Sequence, residues 1–357
     1  MSAEVAVSAP GKTILLGEHS AVYGHPALVA ALDHRMTVAI RPARGAVHLA
    51  MPVVGVDGRF GWDDLVERAR AARARWEDAF GGDESRAFDP VRAPRDLALL
   101  ALGEVALHAG SASSLPGLDV RVLSDIPPRS GFGSSAALAV TVVAATLRAL
   151  GRAAHDATVR ELAEIVERSQ HGRPSGVDLE AVLRGGVLWC RRRADGGLDA
   201  DEMPGGSERL DVFRVFHSGA PRETTGEMVA AVRALRLRDP KRVAEAMTSL
   251  DAAAHDARTA IETGAREAWV PLVRRASEAL EQLGVVPEAI ARTIRAIETR
   301  GGAAKISGAG GISGDGAGLV LVVHPDPEWH ARFEPPAAWT AHRVGLGAPG
   351  FREEVAA

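Results

Sequence analysis

Residues 127–137 have the residue types of a phosphate-binding loop, with the sequence Pro-Pro-Arg-Ser-Gly-Phe-Gly-Ser-Ser-Ala-Ala. They follow a predicted strand and precede a long apolar helix, whose first amides would face any bound ligand. Glycine lets the backbone approach a ligand closely, and the positive end of a helix dipole attracts anions. The hydroxyls of Ser134 and Ser135 could cap the helix, bind a phosphate oxygen or ligate Mg²⁺. The pattern predicts an anion site, and a plain glycine turn with a serine cap remains the alternative.

The few lysines of the chain mark a second segment. Only three of the 42 basic residues are lysines, and two of these, Lys12 and Lys305, lie in glycine-rich stretches. Lysine provides a compact, titratable charge, whereas arginine provides a planar fork. Within twelve residues, Lys12 is followed by Glu18, His19 and the only tyrosine of the chain. This concentration indicates a functional segment, although each residue alone would also suit an ordinary polar position.

Two further segments complete the candidate chemistry. Glu167 and Asp178 are separated by the turn-rich sequence Arg-Ser-Gln-His-Gly-Arg-Pro-Ser-Gly-Val. One carboxylate could bind a metal ion while the other accepts a proton, or both could be helix-end charges that interact only with helix dipoles. Residues 305–316 form another glycine-rich loop in the other half of the chain. Two such loops in two halves favour a ligand bound in a cleft between domains.

Hydrophobic spacing predicts the elements that carry these segments. Two strands are expected at residues 5–8 and 13–16, on either side of a turn at residues 9–11. Further strands are predicted at residues 36–40, 118–123, 186–190, 212–217, 303–306 and 319–323. Helices are predicted at residues 65–76, 95–108, 134–150, 158–168, 175–183, 225–235, 240–253, 271–283 and 287–299. Strands and helices mix without strict alternation, which predicts an α+β protein.

Length and composition limit the domain organisation and the possible partners. A chain of 357 residues exceeds one typical domain, and the polar, glycine-rich stretch at residues 193–208 predicts domains at 1–203 and 204–357. The net charge of −4 disfavours nucleic-acid binding. No apolar run is long enough to span a membrane and no signal segment begins the chain, so we expect a cytoplasmic protein without a membrane partner. Cys190, the single cysteine, excludes an internal disulfide and is predicted to be buried.

In order and spacing, these segments resemble the three motifs of the GHMP kinase superfamily. Those motifs are an early Pro-Gly-Lys…Gly-Glu-His, a central Pro-x-x-x-Gly-x-Gly-Ser-Ser-Ala and a late Lys-x-Ser-Gly-Ala-Gly-Gly. Residues 17–28, Gly-Glu-His-Ser-Ala-Val-Tyr-Gly-His-Pro-Ala-Leu, are similar to the mevalonate kinase branch, as are residues 171–178 and 221–224. Galactokinases carry Glu-His-Thr-Asp-Tyr in the first motif, and many phosphomevalonate kinases carry Glu-Tyr. The resemblance covers residues 5–325.

The resemblance implies a fold and a set of site residues. The fold is α+β with two domains, an amino-terminal α/β domain like ribosomal protein S5 domain 2 and a carboxy-terminal ferredoxin-like domain. Asp178 would be the catalytic carboxylate with Lys12 beside it, and Ser135 and Glu167 would hold Mg²⁺. The residues implied to bind ATP are Pro128, Gly131, Gly133, Ser134, Ser135 and Ala136. The residues implied to bind or organise the substrate are Glu18, His19, Ser20, Thr224, Gly308 and Ala309.

The activity implied by the resemblance is ATP-dependent phosphorylation of the 5-hydroxyl of mevalonate for isoprenoid synthesis, by a possible homodimer. A related kinase acting on phosphomevalonate or a sugar is one alternative, and a ligand-binding member without turnover is another. The joint presence of Lys12, Asp178 and Glu167 argues against a mere binder, which would need neither a metal carboxylate nor a proton acceptor. Three departures from the family pattern, at residues 129–130, at Arg173 and at residues 312–313, concern the substrate pocket and leave the kinase class unchanged.

Overall fold

The computed structural model describes residues 4–81, 90–91, 93–110, 112–127, 131–193, 195–326 and 328–354. The strands are β1 (Val5–Leu16), β2 (Ala27–Ala43), β3 (Val47–Met51), β4 (Val56–Phe60), β5 (Gly117–Ser124), β6 (Val187–Arg192), β7 (Leu198–Glu202), β8 (Phe213–His217), β9 (Ala303–Ser307), β10 (Leu319–Val323), β11 (Thr340–His342) and β12 (Arg352–Glu354). The helices are α1 (Trp62–Phe80), α2 (Pro94–Ala109), α3 (Ser134–Ala149), α4 (Asp156–His171), α5 (Val177–Arg184), α6 (Gly206–Arg209), α7 (Thr225–Arg238), α8 (Pro240–Thr263), α9 (Trp269–Gln282), α10 (Glu288–Glu298) and α11 (Trp329–Arg332).

The strands form two separate sheets. The first has eight strands, with the path β12-β1-β2-β5-β3-β4 and with β6 and β7 attached through β2. Its pairings are antiparallel except for the parallel pair of β3 and β5. The second sheet has four antiparallel strands in the order β11-β8-β10-β9. Helices and mainly antiparallel sheets together confirm the α+β prediction.

Helix α3 is the central helix of the first half. Its run of alanine, valine and leucine is buried on all sides from residue 136 to residue 147, as the sequence predicts for an uninterrupted apolar helix. It packs on β1 and β2 on one side and on α2 and α4 on the other. The amino terminus of α3 is therefore fixed by the core and lies next to the strand that carries Lys12.

The turn predicted at residues 9–11 is wrong, because β1 runs without a break from Val5 to Leu16. The register with β2 shifts between Pro10 and Gly11, where Asp33 and His34 of β2 have no partner residue in β1, so the bulge lies in β2 opposite the Pro-Gly pair. A Cβ atom on Gly11 would lie 2.7 Å from the carbonyl oxygen of Phe132, and the amide of Lys12 donates to that same oxygen at 2.8 Å. At the Pro-Gly pair β1 therefore lies against the glycine-rich segment that precedes α3.

The structure also differs from the sequence predictions in several short strands and in the length of one helix. The hairpin of β3 and β4 and the short strands β7, β11 and β12 were not predicted, because each has at most five residues and, apart from β3, few apolar ones. Helix α8 continues ten residues beyond the predicted end and stops at Gly264, which has a left-handed φ of 77°. Cys190 is buried as predicted, and burial raises the pKa of its thiol to about 12.

The distribution of strands between the two sheets can be compared with the predicted domain division, although it does not test it. β1 to β7 precede residue 204 and β8 to β11 follow it, whereas β12 returns and pairs with β1. The division at residues 203 and 204 stays a prediction. None of the helices in the described ranges is both long and apolar enough to span a membrane.

Candidate active site

Lys12 and Asp178 form an ion pair, with 2.8 Å between Nζ and Oδ1. Lys12 comes from β1, and Asp178 lies in the first turn of α5. The lysine side chain is only 5 % exposed, whereas that of Asp178 is 32 % exposed. A Cβ atom on Gly133 would lie 2.6 Å from Cγ of Lys12, so the loop before α3 packs directly on the lysine stem. The pair therefore presents a carboxylate to solvent and keeps its cation inside.

Glu167 lies beside this pair and is buried. Its Oε1 atom has no hydrogen-bond partner among the described residues. Burial raises the pKa of Glu167, the charge of Asp178 raises it further, and His171, a hydrogen bond with Ser135 and the charge of Lys12 lower it. His171 Nε2 lies 3.7 Å from Glu167 Oε2 and 3.5 Å from Ser135 Oγ. The structure thus brings Ser135, Glu167, Asp178 and Lys12 into one cluster.

The glycine-rich loop enters α3 through two left-handed residues, Gly131 with a φ of 85° and Gly133 with a φ of 76°. Gly133 is the N-cap of α3, so the serine cap that the sequence left open as an alternative does not form there. Ser135 interacts with Glu167 and His171 instead, and the buried Ala136 offers only its backbone to a ligand. Pro128 lies outside the described residues. The first amides of α3 thus meet no capping side chain from the N-cap residue, which suits an anion site.

Lys305 and Glu18 form a second ion pair, which is completely buried. The Lys305 ammonium donates to the Glu18 carboxylate and to the carbonyl oxygen of Ile306, the latter at 2.7 Å. Burial raises the pKa of Glu18 and lowers the pKa of Lys305. Nearby, the hydroxyls of Thr13 and Ser307 lie 2.9 Å apart, so β1 and β9 are joined by polar contacts. The carboxylate of Glu18 points inward, and its predicted role in substrate binding stays a prediction.

His19 connects the first motif to the third glycine-rich loop. It has a φ of 57°, and within the described ranges it is the only residue other than glycine with a positive φ. Its Nε2 lies 3.0 Å from the carbonyl oxygen of Ala309, so this nitrogen carries the proton and donates. Burial lowers the pKa of His19. The predicted substrate residues His19 and Ala309 are thus brought together, whereas Ser20 is fully buried and donates to the Gly17 carbonyl at 3.2 Å.

Thr224 caps helix α7 rather than presenting a free hydroxyl. Its Oγ1 accepts from the Glu227 amide at 3.3 Å and donates to the Glu227 carboxylate at 2.8 Å. The preceding Glu223, to which sequence reasoning gave no role, accepts from the Ser313 hydroxyl at 2.7 Å and from the Ile312 amide at 3.1 Å. The departure from the third motif is therefore held by a carboxylate of the Pro-Arg-Glu-Thr segment. The contact between Glu223 and residues 312–313 joins two distant segments, so neither segment alone predicts it.

The role of one further site residue was not predicted from the sequence, and other predicted roles remain predictions. His171 belongs to a quoted motif, yet only the structure reveals its contacts with both predicted metal ligands. Gly308 has a φ of 96° with open space around its Cα, so it leaves room beside the third loop. In the described part of the chain, no group of three or more His, Cys, Asp or Glu side chains is arranged to hold a metal ion. Mg²⁺ is usually bound through one or two carboxylates plus the phosphates of its substrate, and the assignment of Glu167 and Ser135 as its ligands stays a prediction.

Comparison with known proteins identifies the family. The family model for the GHMP kinases N terminal domain matches residues 97–186, which include the glycine-rich loop, Glu167 and Asp178. A second model, the galactokinase galactose-binding signature, matches residues 1–42, which include Lys12 and Glu18. Both matches fall on segments that the geometry brings together.

Full-length relatives agree with these matches. The mevalonate kinase of Bos taurus is 30 % identical over 396 residues, covering 100 % of this chain and 96 % of the relative. A crystal structure of mevalonate kinase superposes with a TM-score of 0.71 at 19 % identity, covering 96 % of this chain and 98 % of that one. The structure of L. major mevalonate kinase in complex with R-mevalonate gives a TM-score of 0.67 at 19 % identity, with 98 % and 97 % covered. The predicted fold is confirmed, and the chain belongs to the mevalonate kinase family of the GHMP kinases.

Proposed function

We propose that this chain transfers the terminal phosphoryl group of ATP to the primary 5-hydroxyl of mevalonate, a step of isoprenoid synthesis. The observation that carries the proposal is the Lys12–Asp178 pair, whose carboxylate is partly exposed beside the uncapped start of α3. The family of ATP-dependent kinases and the relative solved with R-mevalonate support the choice of substrate. Phosphoryl transfer depends mainly on positioning and charge neutralisation, and this cluster supplies both.

Asp178 and Lys12 would have different roles in the reaction of the acceptor hydroxyl. The partly exposed carboxylate of Asp178 orients the hydroxyl and accepts its proton as the oxygen attacks phosphorus. Lys12, held 2.8 Å away, stabilises the negative charge in this part of the site. The phosphates would lie against Gly131, Gly133 and the first amides of α3, where glycine leaves the backbone accessible.

Ser135 and Glu167 fit a magnesium site. The buried Glu167 Oε1 has no partner in the described part of the chain, and an unsatisfied buried oxygen is costly, so a cation there would satisfy it. A hydroxyl and one carboxylate are oxygen ligands of the kind Mg²⁺ prefers. When bound, the ion would neutralise phosphate charge. His171, in contact with both side chains, would keep them oriented.

The variants Glu167→Gln and Ser135→Ala are expected to raise the Mg²⁺ concentration at half-maximal activity by about tenfold each, equivalent to roughly 1.4 kcal/mol of lost interaction. Each removes a ligand oxygen or its charge. Mg²⁺ titrations at saturating ATP measure the effect. Glu161→Gln, an exposed glutamate on the same helix, is the matched control and should overlay the parent. Parent-like titrations for both site variants would return Glu167 to a structural role.

Mevalonate and phosphomevalonate both carry a carboxylate at the far end, but at C5 mevalonate has the reacting hydroxyl whereas phosphomevalonate has a phosphate. A phosphomevalonate site needs several cations for a dianion. The described site segments offer Arg173 and Arg222, while Arg129 lies outside the described residues. Arg173 lies over the ring of Phe80, and the stem of Arg222 lies against Gly314. His19 lies at the third loop with its N–H donated to the Ala309 carbonyl, so it adds no cation of the kind that a dianion requires.

We expect kcat/KM for mevalonate to exceed that for phosphomevalonate, galactose and homoserine by at least about 10²-fold. His19→Leu should raise KM for mevalonate far more than KM for ATP, because the hydrogen bond that holds Ala309 of the predicted substrate site is lost. ADP release coupled to a spectrophotometric readout measures both. Equal efficiency on phosphomevalonate, or an ATP-only defect in the His19 variant, would point to the arginines and to the sister kinase.

Four remaining expectations belong to the same proposal. The galactokinase signature at residues 1–42 keeps a sugar kinase as the second candidate, which the same assay examines. Apart from β12, the strands of the two sheets fall on either side of residue 204, which supports domains at 1–203 and 204–357. A cytoplasmic location and a homodimer follow only from the sequence and stay predictions.

A further inference from the structure

The turn between α4 and α5 separates Glu167 from Asp178, and one hydrogen bond ties it to a distant helix. The indole N–H of Trp76, near the end of α1, donates to the carbonyl oxygen of Gly172 at 2.6 Å. Gly172 is the residue at which α4 ends, with a φ of 69° and a ψ of −76°. Its carbonyl is one of the acceptors that the end of a helix leaves without an intrahelical partner. Trp76 therefore fixes the point where the chain leaves α4 and turns toward Asp178.

Stacked side chains reinforce this hydrogen bond. The guanidinium of Arg168 lies 5.3 Å from the ring centre of Trp76, and that of Arg173 lies 5.3 Å from the ring centre of Phe80. The rings of Trp76 and Phe80 are 5.6 Å apart. Two arginines from either side of the turn thus enclose two aromatic rings of α1. Arg173 is one of the departures from the family pattern, and here it extends the aromatic contact.

The opposite side of the turn is also held. Arg192 of β6 donates to the carbonyl oxygen of Pro174 at 3.1 Å. Just before the turn, the amide of Val91 donates to the carbonyl oxygen of Ser169 at 2.9 Å. The proline itself limits backbone rotation. Beside these anchors, the Trp76 hydrogen bond and the contact of Arg173 with Phe80 tie the turn to the aromatic end of α1.

We propose that Trp76 is a positioning residue for phosphoryl transfer, acting through the Gly172 carbonyl to set where Asp178 stands relative to Lys12. The inference rests on the proposed function of this site. A displacement of a reacting group by about 1 Å can cost ~10²-fold in rate, and the turn joins the two carboxylates of the site rigidly. The indole makes no contact with the Lys12–Asp178 pair itself among the described interactions, so its effect reaches the reaction only through the backbone.

The test compares Trp76→Phe with Trp62→Phe. Phenylalanine keeps an aromatic ring and removes the N–H donor. Trp62 begins the same helix and makes the same kind of bond, from its indole N–H to the carbonyl oxygen of Pro116 at 2.9 Å, at the end of α1 away from the turn. Melting temperatures of both variants are measured first, and kcat and KM are then determined well below them. The acceptor is whichever one the parent enzyme phosphorylates fastest, so the test does not depend on its being mevalonate.

Trp76→Phe is expected to lower kcat about tenfold, with KM for ATP and for the acceptor within about twofold of the parent. Trp62→Phe is expected to keep kcat within about twofold at a comparable loss of melting temperature. Equal kcat losses in the two variants, an unchanged kcat for Trp76→Phe, or a Trp76→Phe protein that fails to fold would each overturn the proposal and assign Trp76 to the fold. Failure of the proposed function would appear separately, as a parent enzyme inactive on mevalonate.

Discussion

Replacing Asp178 with asparagine is expected to lower kcat by ~10²-fold or more while the fold and ATP binding stay intact. Asparagine has the same shape but no charge, so it cannot accept the hydroxyl proton and it leaves Lys12 without its partner at 2.8 Å. The carboxylate is also the more exposed member of the pair, so the substitution removes the charge that would face the acceptor. Steady-state kcat from ADP release and the Kd for ATP from calorimetry measure the two effects.

Asp156→Asn is the matched control for this variant. Asp156 is an exposed carboxylate in the first turn of α4, the same kind of helix position that Asp178 occupies in α5. It should retain the parent kcat within about twofold. An Asp178→Asn enzyme with nearly the parent turnover, or a similar loss of kcat in both variants, would remove Asp178 from the mechanism.

Replacing Lys305 with methionine is expected to lower the free energy of unfolding by ~3–5 kcal/mol. The side chains of Lys305 and Glu18 are both fully buried, so methionine would leave a carboxylate inside the protein without its cation. Burial already raises the pKa of Glu18 against the opposing effect of Lys305, and loss of the lysine would raise it further. Urea unfolding followed by circular dichroism measures the change.

Two other variants test whether the loss of stability comes from the buried ion pair rather than from the removal of any lysine. Lys241 is 86 % exposed, and Lys241→Met should change the free energy of unfolding by less than about 0.5 kcal/mol. In the double variant Glu18→Gln and Lys305→Met, neither charge remains, so at least about half of the lost stability should return. Equal stability of the Lys305 and Lys241 single variants would show that the buried pair contributes little.

The residues of the site could be predicted because their types and order carry the chemistry. A glycine-rich loop before an apolar helix indicated an anion site, and the structure places Ser135, Glu167, Asp178 and Lys12 together. The error at residues 9–11 came from treating Pro-Gly as a turn. The pair instead lies inside β1 opposite a bulge in β2, and the carbonyl of Phe132 approaches Gly11 there from far along the chain.

Contacts between distant segments account for what the sequence did not reveal. Glu18 looked like a surface or substrate residue, yet it is buried because Lys305 lies opposite it on β9. Trp76 showed only the periodicity of an amphipathic helix, and its bond to Gly172 spans 96 positions. Pairing over such separations is set by tertiary packing, which no local pattern of residues encodes.

Proton-coupled phosphorus NMR of a reaction with ATP, Mg²⁺ and mevalonate tests phosphoryl transfer to the primary hydroxyl most directly. The methylene protons next to that oxygen should split the new phosphomonoester resonance into a triplet, and its amount should equal the ADP formed. Asp178→Asn should produce the same resonance at a rate lower by ~10²-fold or more. An unsplit resonance would place the phosphate on the tertiary hydroxyl, and inorganic phosphate alone would indicate hydrolysis of ATP; either result would contradict the proposed activity.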